Sequence, residues 1–270
     1  MDKPHLIASD VDGTLLTPLE RISPRTSSVI RRAVAADVPF VLVSGRPPRW
    51  IPPVARMAEL TGYAVCANGA VIYDVGRGKV VSVHGLEPVQ LHDLADAMDQ
   101  ALPGARLATE RVLAGGQEDG PPAYVCESEF RNPWGDGDAM FVSRAEVLGR
   151  PAIKLLVSDP RMTSGEMAEA AKELIGEQFA VTYSSNSGLI EIAAKDVTKA
   201  TGLAEVAERL DVSQDKVIAF GDMPNDVEML AWAGTGVAMA NAHPAVLEVA
   251  DEVTASNAED GVAQVLERWF

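Results

Sequence analysis

LIASDVDGTLLT, residues 6–17, runs from a short apolar stretch straight into Asp10, then Asp12, Gly13 and Thr14. Two acids one residue apart, at the end of a buried-looking strand, need a reason. A buried carboxylate must be paired, hydrogen-bonded or protonated. In a parallel α/β sheet, ligands bind beyond the carboxyl ends of the strands. The stretch therefore predicts a first strand that delivers acids to a site, with Gly13 turning the chain away.

Outward from this stretch, apolar runs alternate with helical patterns. Ser23 and Pro24 form an N-cap and first-turn pair for a helix to about residue 36. VPFVLVSG, residues 38–45, reads as a strand, and 47–60 as a helix with a broken start at Pro52 and Pro53. AVCANG, residues 64–69, reads as strand and turn, and AVIYD and KVVSV flank GRG as a hairpin. Later, Thr198 caps a helix through 210, KVIAFGD (216–222) is strand and turn, and 225–231 is helical. TGVAMA is a strand, 243–250 a helix, 251–255 a short strand and 259–270 a last helix. This alternation predicts an α/β class with a parallel sheet covered on both faces.

The middle of the chain reads differently. It predicts a helix over 88–102, a strand over 105–109, a Gly- and Pro-rich loop over 114–122 and irregular chain through NPWGDGD. A strand over 152–158, a helix over 163–178 and two strands, FAVTYSS and LIEIAA, follow. The pattern is an α+β module inserted into the α/β core, with boundaries 1–82 and 187–270 for the core and 83–186 for the insert.

The formal net charge of −16, from 23 basic and 39 acidic residues, argues against nucleic acid as a partner. It leaves an anionic substrate open, since one metal ion or lysine can reverse the local sign. Cys66 and Cys126 are too few for a disulfide framework, which favours a reduced, cytoplasmic setting. No run approaches the roughly 20 apolar residues of a membrane span, so no membrane partner is expected. His5, His84, His92 and His243 are scattered without zinc-like spacing.

Four predicted strand or helix ends carry polar groups: Asp10 to Thr14, Ser44-Gly45-Arg46, Lys199, and Gly221-Asp222-Met223-Pro224-Asn225-Asp226. Each piece alone also reads as turn or cap chemistry; together they fall at one edge of one sheet. Two carboxylates about 4 Å apart repel by about 4 kcal/mol at an effective dielectric of about 20. Clustered acids therefore need a cation, or some must protonate. With oxygen ligands and no Cys or His nearby, Mg2+ fits best.

SDVDGTLL, LVSGRP, the lysine of TKATGL and FGDMPNDVEML resemble, in order, the four motifs of the haloacid dehalogenase (HAD) superfamily. GVAMANAHPAVLEVADEVTASNAEDGVAQVLE and ANGA resemble its Cof-like phosphatases. The resemblance spans roughly residues 5–82 and 187–270. It implies a Rossmann-like core with a large α/β cap, and a Mg2+-dependent phosphatase acting on a small phosphomonoester, a sugar phosphate or phosphorylated cofactor. It implies Asp10 as nucleophile, Asp12 as general acid and base, and Mg2+ on the Asp10 carboxylate, the Asp12 carbonyl and Asp222. Ser44, Gly45, Arg46 and Asn225 would hold phosphate or substrate, and Lys199 would pair with Asp10. Asp226 would orient metal waters or Lys199. Cap contacts to the leaving group would come from Glu127, Phe130, Arg131, Trp134 or Lys154. A phosphomutase carries the same Asp pair, and a phospho-aspartate signalling domain or a phosphosugar-binding regulator are the other classes. The assembly is expected to be a monomer or a homodimer.

Overall fold

The computed structural model describes residues 2–112, 122–131 and 139–270. The chain divides into two compact units, Met1–Ser82 with Thr198–Phe270, and Val83–Val197. Among the described residues, no helix is long and apolar enough to cross a membrane.

The first half of unit one contains β1 (Leu6–Asp10), α1 (Pro24–Ala35), β2 (Phe40–Val43), α2 (Ile51–Met57), β3 (Tyr63–Cys66) and β4 (Val71–Asp74). β5 (Lys79–Val83) leads out of it. Ser23 caps α1 through its hydroxyl, which accepts from the Thr26 N–H, as the Ser-Pro pair predicts.

Unit two contains α3 (Pro88–Ala101), β6 (Arg106–Glu110), β7 (Tyr124–Cys126), β8 (Ala139–Phe141) and α4 (Arg144–Leu148). It continues with β9 (Lys154–Ser158), α5 (Ser164–Ile175), β10 (Phe179–Thr182) and β11 (Leu189–Ala194). The chain then returns to unit one through α6 (Lys199–Arg209), β12 (Val217–Gly221), α7 (Val227–Trp232), β13 (Thr235–Ala238), α8 (Pro244–Leu247), β14 (Glu252–Val253) and α9 (Gly261–Leu266).

Unit one is built on a sheet of order β14-β13-β12-β1-β2-β3-β4-β5. β1 lies in the middle, parallel to β12 on one side and to β2 on the other. All five of its residues are buried, which is why Leu6, Ile7 and Ala8 run on without polar alternation before Ser9 and Asp10. Register decides the site. Asp10 stands opposite Val43, the last residue of β2, and Ser9 opposite Phe220, one residue before the end of β12. The carboxyl ends of the three central strands therefore finish at one level.

Unit two has its own sheet, ordered β10-β11-β9-β6-β7-β8. One face packs against helices, through Leu91, Leu94, Met98, Leu107, Val157 and Met167. The other buries a smaller cluster of Ala108, Tyr124, Cys126, Phe130, Leu156 and Leu189.

Two sequence expectations change here. The return to unit one comes at Thr198, not at residue 187. LIEIAA forms β11, which pairs antiparallel with both β9 and β10 inside the second sheet. The pairing of FAVTYSS with LIEIAA is the one expected; the boundary at residue 187 fell between the two strands. β7 arises in a stretch read as irregular, and β8 and α4 in residues 139–151, where the sequence reading places no element; three-residue strands are too short to display a period. α4 does carry a legible start, the reciprocal bonds of Ser143 and Glu146. Trp134, and most of the loop expected over 114–122, lie outside the described residues.

Candidate active site

Asp10 ends β1, and the next five residues form a tight turn in which Asp12 (φ −87°, ψ 119°) and Gly13 (φ +83°) leave helical geometry. Only a residue without Cβ suits Gly13. A Cβ there would stand 2.2 Å from Asp222 Oδ2, and the backbone angle is already left-handed. The turn is held from outside by Asn241, whose amide donates to the Gly13 carbonyl at 2.9 Å.

The central feature is a buried lysine. Thr198 caps α6 through its hydroxyl, which places Lys199 at the first helical position. Lys199 is 1% exposed and donates to Asp10 Oδ1 at 2.5 Å and to Asp226 Oδ1 at 2.6 Å. Asp226 Oδ2 accepts the N–H groups of Asp222 and Met223, both at 2.9 Å. Asp226 thus closes the turn after β12 and fixes the lysine. Asp222 accepts from the Thr14 hydroxyl at 2.7 Å. The carboxylates of Asp10, Asp222 and Asp226 each offer an oxygen within 4.8 Å of the others.

Three buried acids facing one lysine carry excess negative charge. Burial raises Asp10 well above the usual carboxylate range, Lys199 opposes this, and Asp226, Asp222 and Asp12 add to it. Burial likewise pushes Asp222 to about 6, against the Thr14 hydroxyl, which lowers it. Lys199 is pulled down by burial but ends above its ordinary value, because Asp10 and Asp226 more than offset that loss. The lysine stays charged while the acids resist ionising together. A hard divalent cation resolves that conflict, and an all-oxygen donor set fits one. The expected set was Asp10, the Asp12 carbonyl and Asp222, with Asp226 behind them. In the structure, Asp226 stands within reach of the first two carboxylates but has both its oxygens engaged.

Asp12 does not lie on the strand, where the sequence reading places it. The two-residue strand period placed it on the same face as Asp10, but the strand ends at Asp10. The Asp12 side chain is 55% exposed and pairs with Arg46. Arg46 Nε and Nη2 donate to its two oxygens at 2.8 and 2.5 Å. Arg46, expected at the phosphate, thus has its guanidinium on Asp12.

Ser44 follows β2 directly and is buried; its hydroxyl accepts from the Arg46 N–H at 3.1 Å. Gly45 lies against Asn68, whose Oδ1 would be 3.2 Å from a Cβ at that glycine. Asn225 donates to the same Asn68 oxygen at 3.0 Å, and its own Oδ1 is buried with no hydrogen-bond partner.

Sequence reading missed two members. Thr14 stood in the quoted stretch without a role. Asn68 lies in a turn whose three residues, Ala67, Asn68 and Gly69, all have positive φ (50°, 55° and 104°). The Asn-Gly pair was a turn signal, but nothing in it revealed a contact with Asn225, 157 residues away.

The expected cap contacts have local roles in unit two. Glu127 accepts from the Leu107 N–H at 2.8 Å, and Phe130 is buried edge-on to Tyr124. Lys154 is buried against Glu191 at 2.6 Å, while Arg131 is exposed.

Residues 7–266 match the family described as haloacid dehalogenase-like hydrolase. A 5-amino-6-(5-phospho-D-ribitylamino)uracil phosphatase of Bacillus subtilis is 32% identical over 279 residues, 99% of this chain and 98% of that protein. A pyridoxal phosphate phosphatase of Escherichia coli is 26% identical, covering 97% of each. The solved structure of a haloacid dehalogenase-like hydrolase from Bacteroides thetaiotaomicron superposes with a TM-score of 0.76 at 27% identity. The match covers 99% of this chain and all of that one.

Proposed function

This chain belongs to the haloacid dehalogenase-like hydrolases, and we propose that within that family it is a Mg2+-dependent phosphatase of small phosphomonoesters working through an aspartyl-phosphate. That it is a phosphoric monoester hydrolase follows from its relatives, which are named as phosphatases. The substrate class, a sugar phosphate or a phosphorylated cofactor, is the finer part of the proposal. Phosphorylated small molecules in the names of those two relatives support it.

The observation that carries the reading is the convergence of Asp10, Asp222 and Asp226 around buried Lys199. Asp10 attacks phosphorus, a P–O bond to its carboxylate forms, and the ester P–O bond breaks. Lys199 holds the attacking carboxylate in place. Asp12 gives a proton to the leaving oxygen and later takes one from the water that hydrolyses the intermediate. Ser44, the Gly45 N–H and Asn225 hold the phosphoryl oxygens. The unpaired Oδ1 of Asn225 supports a ligand on that side, such as a substrate hydroxyl. The groups that would hold Mg2+ are Asp10, the Asp12 carbonyl and Asp222, and its charge would offset the repulsion between a carboxylate and a phosphate dianion. Unit two, the inserted cap, would select the leaving group.

The test is phosphate release by purified protein with Mg2+ from a panel of sugar phosphates, nucleotides, pyridoxal phosphate, flavin mononucleotide and 5-amino-6-(5-phospho-D-ribitylamino)uracil. Turnover that needs Mg2+ and prefers a few esters is expected. Silence across the panel overturns the reading.

A further inference from the structure

The two acids of the first turn each have their own cation: Lys199 on Asp10 and Arg46 on Asp12. The first pair is buried and belongs to the acid cluster. The second is half in solvent, with side chains 24% and 55% exposed. An exposed ion pair contributes little to stability, so the geometry of this one needs another explanation.

Asp12 has little else to hold it. It sits past the end of β1, at non-helical angles, just before the left-handed Gly13. A carboxylate on such a turn samples several rotamers. Arg46 removes that freedom by donating to both oxygens at once, the two-point grip that a planar guanidinium offers and an ammonium does not. Arg46 is itself anchored. Its N–H donates to Ser44 Oγ at 3.1 Å, and its carbonyl accepts from the Ala67 N–H at 2.9 Å.

We propose that Arg46 is a positioning residue for Asp12, fixing the carboxylate that accepts a proton from the attacking water in the second half-reaction. The proposal rests on the phosphatase reading above. Two bonds from one planar guanidinium fix where both carboxylate oxygens lie, and that step needs one of them aimed at the water. There the water oxygen bonds to phosphorus and the P–O bond to Asp10 breaks. The electron pair returns to the Asp10 carboxylate, and the water proton passes to Asp12. Arg46 acts through Asp12 and needs no contact with the phosphate.

Rapid mixing of Arg46→Ala with 4-nitrophenyl phosphate and Mg2+ tests this. The good leaving group needs little acid assistance, so formation of the intermediate is spared relative to its hydrolysis. A burst of one nitrophenolate per active site is expected, followed by steady turnover about 10²-fold slower than wild type. Acid quenching should trap phosphorylated protein. kcat/KM should fall less than about tenfold, so KM falls along with kcat. Arg46→Lys, which keeps the charge and loses the fork, should lie between. In an Asp12→Asn background, Arg46→Ala should add almost nothing.

If kcat/KM falls as far as kcat, without a burst and with weaker inhibition by inorganic phosphate, the guanidinium is a phosphate ligand and the proposal is wrong. Unchanged kinetics with a folded variant reduce the pair to a surface contact and also overturn it. A wild-type protein silent on every ester overturns the phosphatase reading itself, and this inference with it.

Discussion

Both units of the chain bury a lysine against carboxylates, and they do so in different ways. Lys154, in the cap, donates to Glu191 at 2.6 Å. Its strand β9 runs between β11, which carries Glu191, and β6, where Glu110 stands opposite it in the ladder. Those contacts follow from strand pairing, as cross-strand neighbours on one sheet. Lys199, in the core, meets Asp10 and Asp226 across sequence separations of 189 and 27 residues, from a helix start, a strand end and a loop. Nothing in a ladder brings these together; they meet where three parallel strands stop. A buried lysine among acids is therefore no mark of catalysis by itself. Its position beyond the carboxyl edge of a parallel sheet, with Asp222 also in reach, sets the core cluster apart.

The strongest attempt to break that contrast is Asp10→Asn. It should lower phosphate release more than about 10³-fold, because the nucleophile is gone, while the fold survives in a circular-dichroism melt. Residual turnover near wild type would remove the core cluster from the chemistry.

Next come the two lysines exchanged for methionine. Removing one partner of a buried pair costs about 3–5 kcal/mol, since the other charge stays buried alone. Both variants should therefore melt at lower temperature without metal. Only Lys199→Met should enlarge the stabilisation that added Mg2+ gives, because it strips from Asp10 and Asp226 the lysine that pairs with both, beside Asp222. Lys154→Met should leave that metal response as it is. An equal response in the two variants would erase the distinction.

A smaller effect sharpens the electrostatics. Burial raises Asp222 from 3.8 to about 6 in the folded protein, so the folded state holds a proton longer than the unfolded one. This group favours folding below its ordinary value, and the contribution is lost as pH rises through about 6. Relative to Asp222→Asn, the metal-free protein should lose on the order of 1–3 kcal/mol across that window. The stabilisation by Mg2+ should grow over the same range, because the metal takes the ionised carboxylate. Melting curves with chelator and with Mg2+ at both ends of the window measure each part.

The smallest change is Thr14→Val. It removes the hydroxyl that lowers the Asp222 pKa, so the carboxyl should shift further up. The Mg2+ midpoint near pH 6 should weaken by a few-fold, equivalent to about 1 kcal/mol.

The fold was largely legible because β1 and β12 open on apolar residues and run into glycine and acids, and because caps such as Ser23 and Thr198 announce helix starts. The cap was less so. Its three-residue strands Tyr124–Cys126 and Ala139–Phe141 carry no period, and the boundary at residue 187 cut LIEIAA off from the module it pairs in. The candidate residues of the core edge were named from their types and order. Their partners were not. Thr14 on Asp222, Asn68 on Asn225 and Arg46 on Asp12 are contacts across the chain that local pattern does not encode.

By itself, the amino-acid order determined the strands, the helix starts and which side chains sit at their ends, since these depend on neighbours a few residues away. The tertiary structure alone decided which oxygen meets which cation, and that β1 stops at Asp10 and turns Asp12 toward Arg46. Such distances are set by sheet register and by close packing of distant segments, and a difference of one residue or a few ångströms changes a hydrogen bond without changing the pattern that builds the strand.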